Sequence, residues 1–389
     1  MNGECRRVCV VITARASYAR IKTVLEAVRD HSDLELLLVV AASALLERYG
    51  PVIDIIRADG FEPTSTVYML MEGENLVTSA KSTGAGISEL ATVFDNLAPD
   101  MVLSIADRYE TIATAIAASY LNIPVAHVQG GEVTGSIDEK VRHAVTKLSN
   151  LHMVANEHAA RRVMQMGEDP ASVHVTGCPS IDLAARVMAE DDDNFDVYRA
   201  MGGAGVGHPI NVENGCLVVL QHPVTTENEA APAQVEQTLH AVHHMKIPTF
   251  WFWPNVDAGS DGSSAAIRRY REAHDPAHIY FLKNLSPENF LRLLKRSRCI
   301  IGNSSAGIRE CSFLGVPAVN IGSRQSRRER APNVVDVDYD ETAIKAAIET
   351  HMAHGHFPSS DLYGDGHSGT RIAKILATET PTFDKQITY

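Results

Sequence analysis

The chain has 389 residues, 45% of them hydrophobic and 21% charged, an ordinary globular composition too long for one small core and suited to two domains. Its 35 Lys and Arg against 48 Asp and Glu leave a net charge of −13, which argues against a protein that tracks a nucleic-acid backbone. A small phosphorylated ligand in a local basic pocket stays compatible with that charge.

No membrane partner is expected, because the longest apolar window, "LELLLVVAASALL", is broken by Glu35 and is too short to span a bilayer. Six scattered cysteines (Cys5, Cys9, Cys178, Cys216, Cys299, Cys311) form no C-x-x-C pair and read as free, buried thiols in a reducing compartment, not as a zinc site. The apolar start "VCVVIT" reads as a first strand and not as a leader, so the expected location is the cytoplasm.

In chain order, the strand "RVCVVIT" precedes a helix from about Ala19 to Asp30, and "LELLLVV" precedes a helix near Leu45. "FEPTSTVYM" is followed by a helix near Ile87 to Asn96, "DMVLSI" by one from about Glu110 to Leu121, and "IPVAHV" by one from about Glu139 to Asn150. "LHMVA", a helix near Glu157 to Met166, and "VHVTG" close this half. From about Met188 to Asn214 the chain turns acidic and then glycine-rich, which predicts a linker or surface excursion. The rhythm resumes with "CLVVLQH", "PTFWFWP", "HIYFLKN", "CIIGNS" and "PAVNIG", and ends on a short helix near Thr370 to Ala377.

Strands alternating with helices predict βαβ units and parallel sheets covered on both faces. The expected fold is α/β: two Rossmann-like doubly wound domains, 1–185 and 215–369, with a linker over 186–214 and an interdomain cleft. Residues 370–389 form a helix and tail that can pack back on the N-terminal domain. Ligands of such sheets sit at the carboxyl ends of strands.

Those strand ends carry the candidate chemistry. After "IPVAHV" come Gln129, two glycines that let backbone approach a ligand, Glu132, and "SIDE", read as a capping box with Ser136 as N-cap. Asp138 lies in the first helical turn, where a carboxylate complements the helix dipole or faces the ligand. Arg142 and His143 follow on the same helix. "SIADRYE" puts Asp107 and Arg108 at the neighbouring strand end, either as a surface pair or as a cleft carboxylate whose repulsion with a second one separates their pKa values. Arg15 follows the first strand without a G-x-G-x-x-G, which counts against a dinucleotide.

In the second half, Gly302-Asn303-Ser304-Ser305-Ala306-Gly307 leads into a helix and offers an anion seat or a plain N-cap. Glu310 is placed to accept two ribose hydroxyls, and Arg324 and Gln325 follow the next strand. The segment lacks the P-loop lysine. His222 ends a buried strand before Pro223, as a structural or a ligand-facing imidazole, and "WPNVDAGSD" presents Asn255, Asp257 and Gly259.

Taken together, "SIADRYETIATAIAA", "HVQGGEVTGSIDEKVRHAVTKL", "LQHPVTTEN", "PNVDAGSD", "GNSSAGIRE" and "IGSRQ" resemble the hydrolysing UDP-N-acetylglucosamine 2-epimerases of sialic and legionaminic acid biosynthesis, in the right order over nearly the whole chain. The resemblance implies a GT-B-like fold and no cofactor or metal. It also implies a reaction in which loss of nucleoside diphosphate gives a glycal that water converts to the free 2-epimer. It makes Asp107 and Asp138 catalytic carboxylates and His222 a catalytic-site histidine. Ser304, Ser305, Glu310 and Arg324 become nucleotide contacts, Arg15 and Arg108 phosphate-side contacts, and a homodimer or homotetramer is expected.

Three positions depart from that pattern. Gln129 stands where many relatives carry Glu and cannot act as a general base, Ala44 stands where His is usual, and Ala106 replaces a Gly. Changes near the expected sugar site widen the substrate class to UDP- or GDP-linked 2-acetamido sugars, 4-acetamido-6-deoxy sugars among them. A non-hydrolysing 2-epimerase, a GT-B glycosyltransferase and a non-catalytic nucleotide-sugar binder are the alternative readings.

Overall fold

The computed structural model describes residues 5–46, 52–73, 75–105, 108–134, 137–190, 195–203, 205–254 and 259–388. Two compact units emerge. The first comprises Met1–Glu132, Ile137–Asp182 and Tyr363–Tyr389, and the second comprises Val133–Ser136 and Leu183–Leu362.

The first unit begins with β1 (Arg6–Ile12), α1 (Arg15–Arg29), β2 (Leu34–Ala41), α2 (Val52–Ala58), β3 (Ser65–Val67) and α3 (Leu76–Leu97). It continues with β4 (Met101–Ile105), α4 (Thr111–Tyr120), β5 (Val125–Val128), α5 (Ile137–Leu148), β6 (Leu151–Val154), α6 (Glu157–Gln165) and β7 (Val173–Val175). Among the described residues these strands form one parallel sheet in the order β3-β2-β1-β4-β5-β6-β7. β4, β5 and β6 are buried at every position, as strands covered on both faces must be. Val10, Ile12, Leu38, Leu103 and Ile21 build the core on one face; Cys9, Val39, Val102, Phe94 and Leu90 build it on the other.

The next helix, α7 (Pro179–Ala189), was not legible in the sequence; Ile181 is buried in it, and Leu183, Ala184 and Val187 enter the second unit's core. The second unit holds α8 (Val197–Met201), β8 (Gly205–Val206), β9 (Cys216–Leu220), α9 (Ala231–Met245), β10 (Thr249–Phe252), α10 (Ser260–His274) and β11 (Ile279–Leu282). It is completed by α11 (Pro287–Arg296), β12 (Ser297–Gly302), α12 (Glu310–Leu314), β13 (Ala318–Ile321), β14 (Val334–Val337) and α13 (Glu341–His354). The strand order is β14-β13-β12-β9-β10-β11-β8, parallel except where β8 runs antiparallel to β11. Segment 195–214 is therefore partly built into the sheet, because Val197, Met201 and Ile210 bury their side chains in the core. The chain then returns to the first unit as α14 (Ser368–Thr378), which packs Ile372, Ala373 and Leu376 into the core beneath α1.

Both units are Rossmann-like and doubly wound, the α/β fold that the strand–helix rhythm predicts. Three helices differ from expectation. The one expected near Leu45 is α2 at Val52–Ala58, with only a 3-10 turn at Ala42–Leu45, and the starts of α1 and α3 are earlier. α1 begins at Arg15, four residues earlier than predicted, with Ser17 and Tyr18 already buried. α3 begins at Leu76, although Gly84 and Gly86 lower its propensity, because Asn75 and Thr78 close a capping box. None of the six cysteines forms a disulfide; five are buried and Cys5 is exposed.

Candidate functional site

In each sheet the strand order reverses at one place, and the loops leaving the two strands there diverge to make room for a ligand. In the first unit that place lies between β1 and β4, and the residues just beyond those strands include Arg15 and Arg108. In the second it lies between β9 and β12, followed by His222 and by Asn303 to Ser305. Other predicted residues follow neighbouring strands: Gln129, Glu132, Asp138, Arg142 and His143 come after β5, and Arg324 and Gln325 after β13.

Arg15 is the first residue of α1. Burial and the like charge of Arg108 lower its guanidinium pKa to about 10. Two guanidinium groups so placed repel each other and favour an anion between or beside them. Arg108 Nε donates to Glu110 Oε1 at 2.8 Å, and Glu110 is 1% exposed. Glu110 Oε2 is buried with no hydrogen-bond partner among the described residues. Glu110 was not singled out in the sequence, though its place two residues after Arg108 was a usable signal. Asp107 lies outside the described residues, as do Ala106, Ser136, Asn255 and Asp257.

Gln129, at the end of β5, has φ +69°, a left-handed conformation that a non-glycine residue rarely adopts. Its N–H donates to the Met153 carbonyl at 2.9 Å, and its Nε2 donates to Cys178 Sγ at 2.8 Å. The following glycines answer to internal packing. Gly131 has φ +73°, and a Cβ there would lie 2.2 Å from the Ala159 carbonyl oxygen, so α6 itself forbids a side chain.

Glu132 is buried, and its carbonyl accepts from Arg142 Nη1 at 2.8 Å, with Arg142 itself buried on α5. Asp138 is the second residue of α5 and half-buried. His143 Nε2 lies 3.4 Å from Glu139 Oε1, one turn away on the same helix. Ala44, the position where the resemblance leads one to expect His, is fully buried in the first unit's core.

In the second unit, Gly302 has φ +125°, and a Cβ there would lie 2.3 Å from the Leu220 carbonyl oxygen, so only glycine allows β12 to run this close to β9. Asn303 follows, fully buried. Its Oδ1 accepts from the His222 N–H at 2.7 Å and its Nδ2 donates to the His222 carbonyl at 2.7 Å. The Asn303 carbonyl accepts from Gln325 Nε2 at 2.9 Å and from Arg324 Nη1 at 3.3 Å. His222, Asn303, Arg324 and Gln325 are thus one connected group.

Ser304 caps a 3-10 turn, Ser305–Gly307, by accepting from the Ala306 N–H at 3.3 Å. Ser305 Oγ accepts from Arg309 at 2.8 Å, a fully buried residue whose role beside Glu310 has no signal in the sequence. Gly307 packs closely, with a Cβ position 3.3 Å from Ala318 Cβ. The helix expected behind this loop is only α12, five residues long, so its dipole is small and any anion must be held mainly by side chains and turn N–H groups. Glu310 opens α12 half-buried, and its Oε2 is buried without a hydrogen-bond partner among the described residues. A buried, unsatisfied carboxylate oxygen is costly and marks a place where a donor is awaited.

Among the described residues no three His, Cys, Asp or Glu side chains are grouped to hold a metal ion, and no helix is long and apolar enough to cross a membrane.

A sequence profile of UDP-N-acetylglucosamine 2-epimerase matches residues 26–377. The chain is 32% identical over 373 residues, 96% of each protein, to the UDP-N,N'-diacetylbacillosamine 2-epimerase (hydrolyzing) of Legionella pneumophila. It is 30% identical over 374 residues, 95% of each, to a UDP-N-acetylglucosamine 2-epimerase of Neisseria meningitidis. In fold it is similar to the crystal structure of a Neisseria meningitidis UDP-GlcNAc 2-epimerase bound to UDP-GlcNAc, with a TM-score of 0.78 at 17% identity over 96% of this chain and all of that one. The two Rossmann-like units are therefore of the GT-B-like kind. The chain belongs to the UDP-N-acetylglucosamine 2-epimerase family.

Proposed function

We propose that the chain is a hydrolysing nucleotide-sugar 2-epimerase acting on UDP-N-acetylglucosamine or a related UDP- or GDP-linked 2-acetamido sugar. The observation that carries this reading is its end-to-end similarity to the Legionella enzyme named as hydrolysing. On this reading one carboxylate of the Asp107 and Asp138 pair takes the C2 proton as the C1–O bond breaks. The nucleoside diphosphate leaves with the bonding electrons, and a C1=C2 double bond forms. Water then adds its hydroxyl at C1, and a proton reaches C2 from the opposite face. The products are nucleoside diphosphate and the free 2-epimer, and no redox cofactor is needed because no net oxidation occurs.

Gln129 holds position by hydrogen bonding, since an amide cannot take the proton. His222 lies among the groups around the reacting sugar, Glu310 accepts the ribose hydroxyls, and Ser304, Ser305, Arg324, Arg15 and Arg108 meet the diphosphate. The unsatisfied Glu310 oxygen supports its assignment. We place the enzyme in the cytoplasm as a homodimer or homotetramer.

Phosphorus NMR of reactions with UDP- and GDP-linked 2-acetamido sugars tests this reading. Free UDP or GDP should accumulate with one of them, and Asp138→Asn should abolish that release while keeping nucleotide affinity within several-fold. An intact, 2-epimerised nucleotide sugar would identify the non-hydrolysing reaction instead, the alternative that the Neisseria relative's name leaves open.

A further inference from the structure

Helix α5 carries Asp138 in its first turn, and its far end is held in an unusual way. The last carbonyls of a helix have no partner within it and attract cations. Here Lys385, from the segment that follows α14, places Nζ 3.1 Å from the Thr146 carbonyl and against that of Ser149. The same Nζ lies 2.5 Å from Glu168 Oε2. Glu168 is 3% exposed, and it also accepts from Lys147 Nζ at 2.6 Å and from His152 Nε2 at 3.0 Å. One buried carboxylate therefore ties the end of α5, the strand β6 and the later segment together.

The contacts extend on both sides of Lys385. Asn150 Nδ2 donates to the Thr382 carbonyl at 3.1 Å. The Thr388 N–H donates to the Gly167 carbonyl at 3.1 Å, its hydroxyl donates to the Glu168 carbonyl at 3.1 Å, and Ile387 lies over Gly167. Thr382 to Thr388 is thus laid across the end of α5 and the loop after α6 at three separate points.

We infer that Thr382–Thr388 is a strap that fixes α5 from its C-terminal end, with Lys385 as a positioning residue for the carboxylate at the other end. The helix has 12 residues, about 18 Å of rigid rod, so freeing one end displaces the other. Displacements of about 1 Å in a reacting group can cost about 100-fold in rate. The inference rests on the proposed role of Asp138, and its test has one readout that does not.

Hydrogen exchange and steady-state kinetics of Lys385→Met and Lys385→Arg provide that test. In Lys385→Met, α5 amides should exchange about tenfold faster or more, with β10 and β11 unchanged. The kcat should fall about tenfold or more while KM stays within about twofold, and Lys385→Arg should restore both measures. Unchanged α5 exchange would overturn the strap, as would faster exchange with wild-type kcat, or a loss confined to KM. If the wild-type protein turns over no nucleotide sugar, the proposed function fails, and exchange alone decides the strap. Should Lys385→Met not accumulate as folded protein, Lys385→Gln, which keeps a donor but removes the charge, carries the same comparison.

Discussion

The side-chain amide of Asn303 closes both backbone hydrogen bonds of His222, donating to its carbonyl and accepting from its N–H at 2.7 Å each. An amide completes such a pair without having to take up a proton, because it offers a donor and an acceptor side by side. Through it, the loop after β12 fixes His222, two residues past β9, at the point where the second sheet's strand order reverses.

Asn303→Asp should therefore be worse than its size suggests. The carboxylate keeps an acceptor for the His222 N–H but sets a second oxygen against the His222 carbonyl. Loss of about 1–3 kcal/mol of stability is expected for such a buried mismatch, with weaker nucleotide binding. Chemical denaturation and calorimetric titration with UDP and GDP would measure both.

Glu310→Gln should separate binding from stability. The change removes the charge of a carboxylate whose buried Oε2 has no donor among the described residues, so the protein's melting temperature should hold or rise. Affinity for nucleoside diphosphate should fall about tenfold, because a neutral amide is a poorer acceptor for ribose hydroxyls. Titration calorimetry beside a thermal melt would reveal whether the two move in opposite directions.

Arg15→Met makes a related case in the first unit. Burial and Arg108 together oppose the charge on Arg15. Nucleotide affinity should fall by about tenfold, and any loss of stability should stay within about 1 kcal/mol. A melt and a binding isotherm on one sample would check both.

Much of this arrangement was legible in the sequence, for identifiable reasons. β4, β5, β9 and β12 are apolar runs ending in polar or small residues, so their carboxyl ends, and hence Arg108, Gln129, His222 and Asn303, could be located by eye. What escaped was carried by contacts between distant positions. The grip of Lys385 on α5 spans 239 residues and leaves no local mark. The Gln129 contact with Cys178 spans 49, and its positive φ cannot be read from a residue type that seldom adopts it. The short strand β8 was hidden in a glycine-rich segment because the sheet edge, not the residues' propensity, makes it a strand.

Stability should fall in two steps as the solution is acidified. Burial pushes His152, His243 and His278 below the usual histidine value of 6.5; around His243 the neighbouring imidazoles of His278, His274, His244 and His240 add to this. The unfolded chain then binds protons first, so stability drops as pH falls below about 6.5. Burial alone would raise Glu168, but hydrogen bonds from His152, Lys147 and Lys385 bring it down to about 2. Its contribution, on the order of 3 kcal/mol, is present above pH of about 4.5 and is lost as pH falls toward 2. Urea unfolding from pH 8 to pH 3 should show both steps, with the first reduced in His243→Gln and the second in Lys385→Met.

In a hydrolysing 2-epimerase, C2 loses its proton and the sugar leaves the nucleotide in one catalytic cycle. The most direct measurement is mass spectrometry and proton NMR of the sugar formed from a UDP- or GDP-linked 2-acetamido substrate in deuterium oxide. A free 2-epimer carrying one deuterium at C2, with one nucleoside diphosphate released per sugar, is the predicted result. Free sugar of unchanged configuration with protium at C2, or deuterium at C2 of a sugar still attached to its nucleotide, would contradict it.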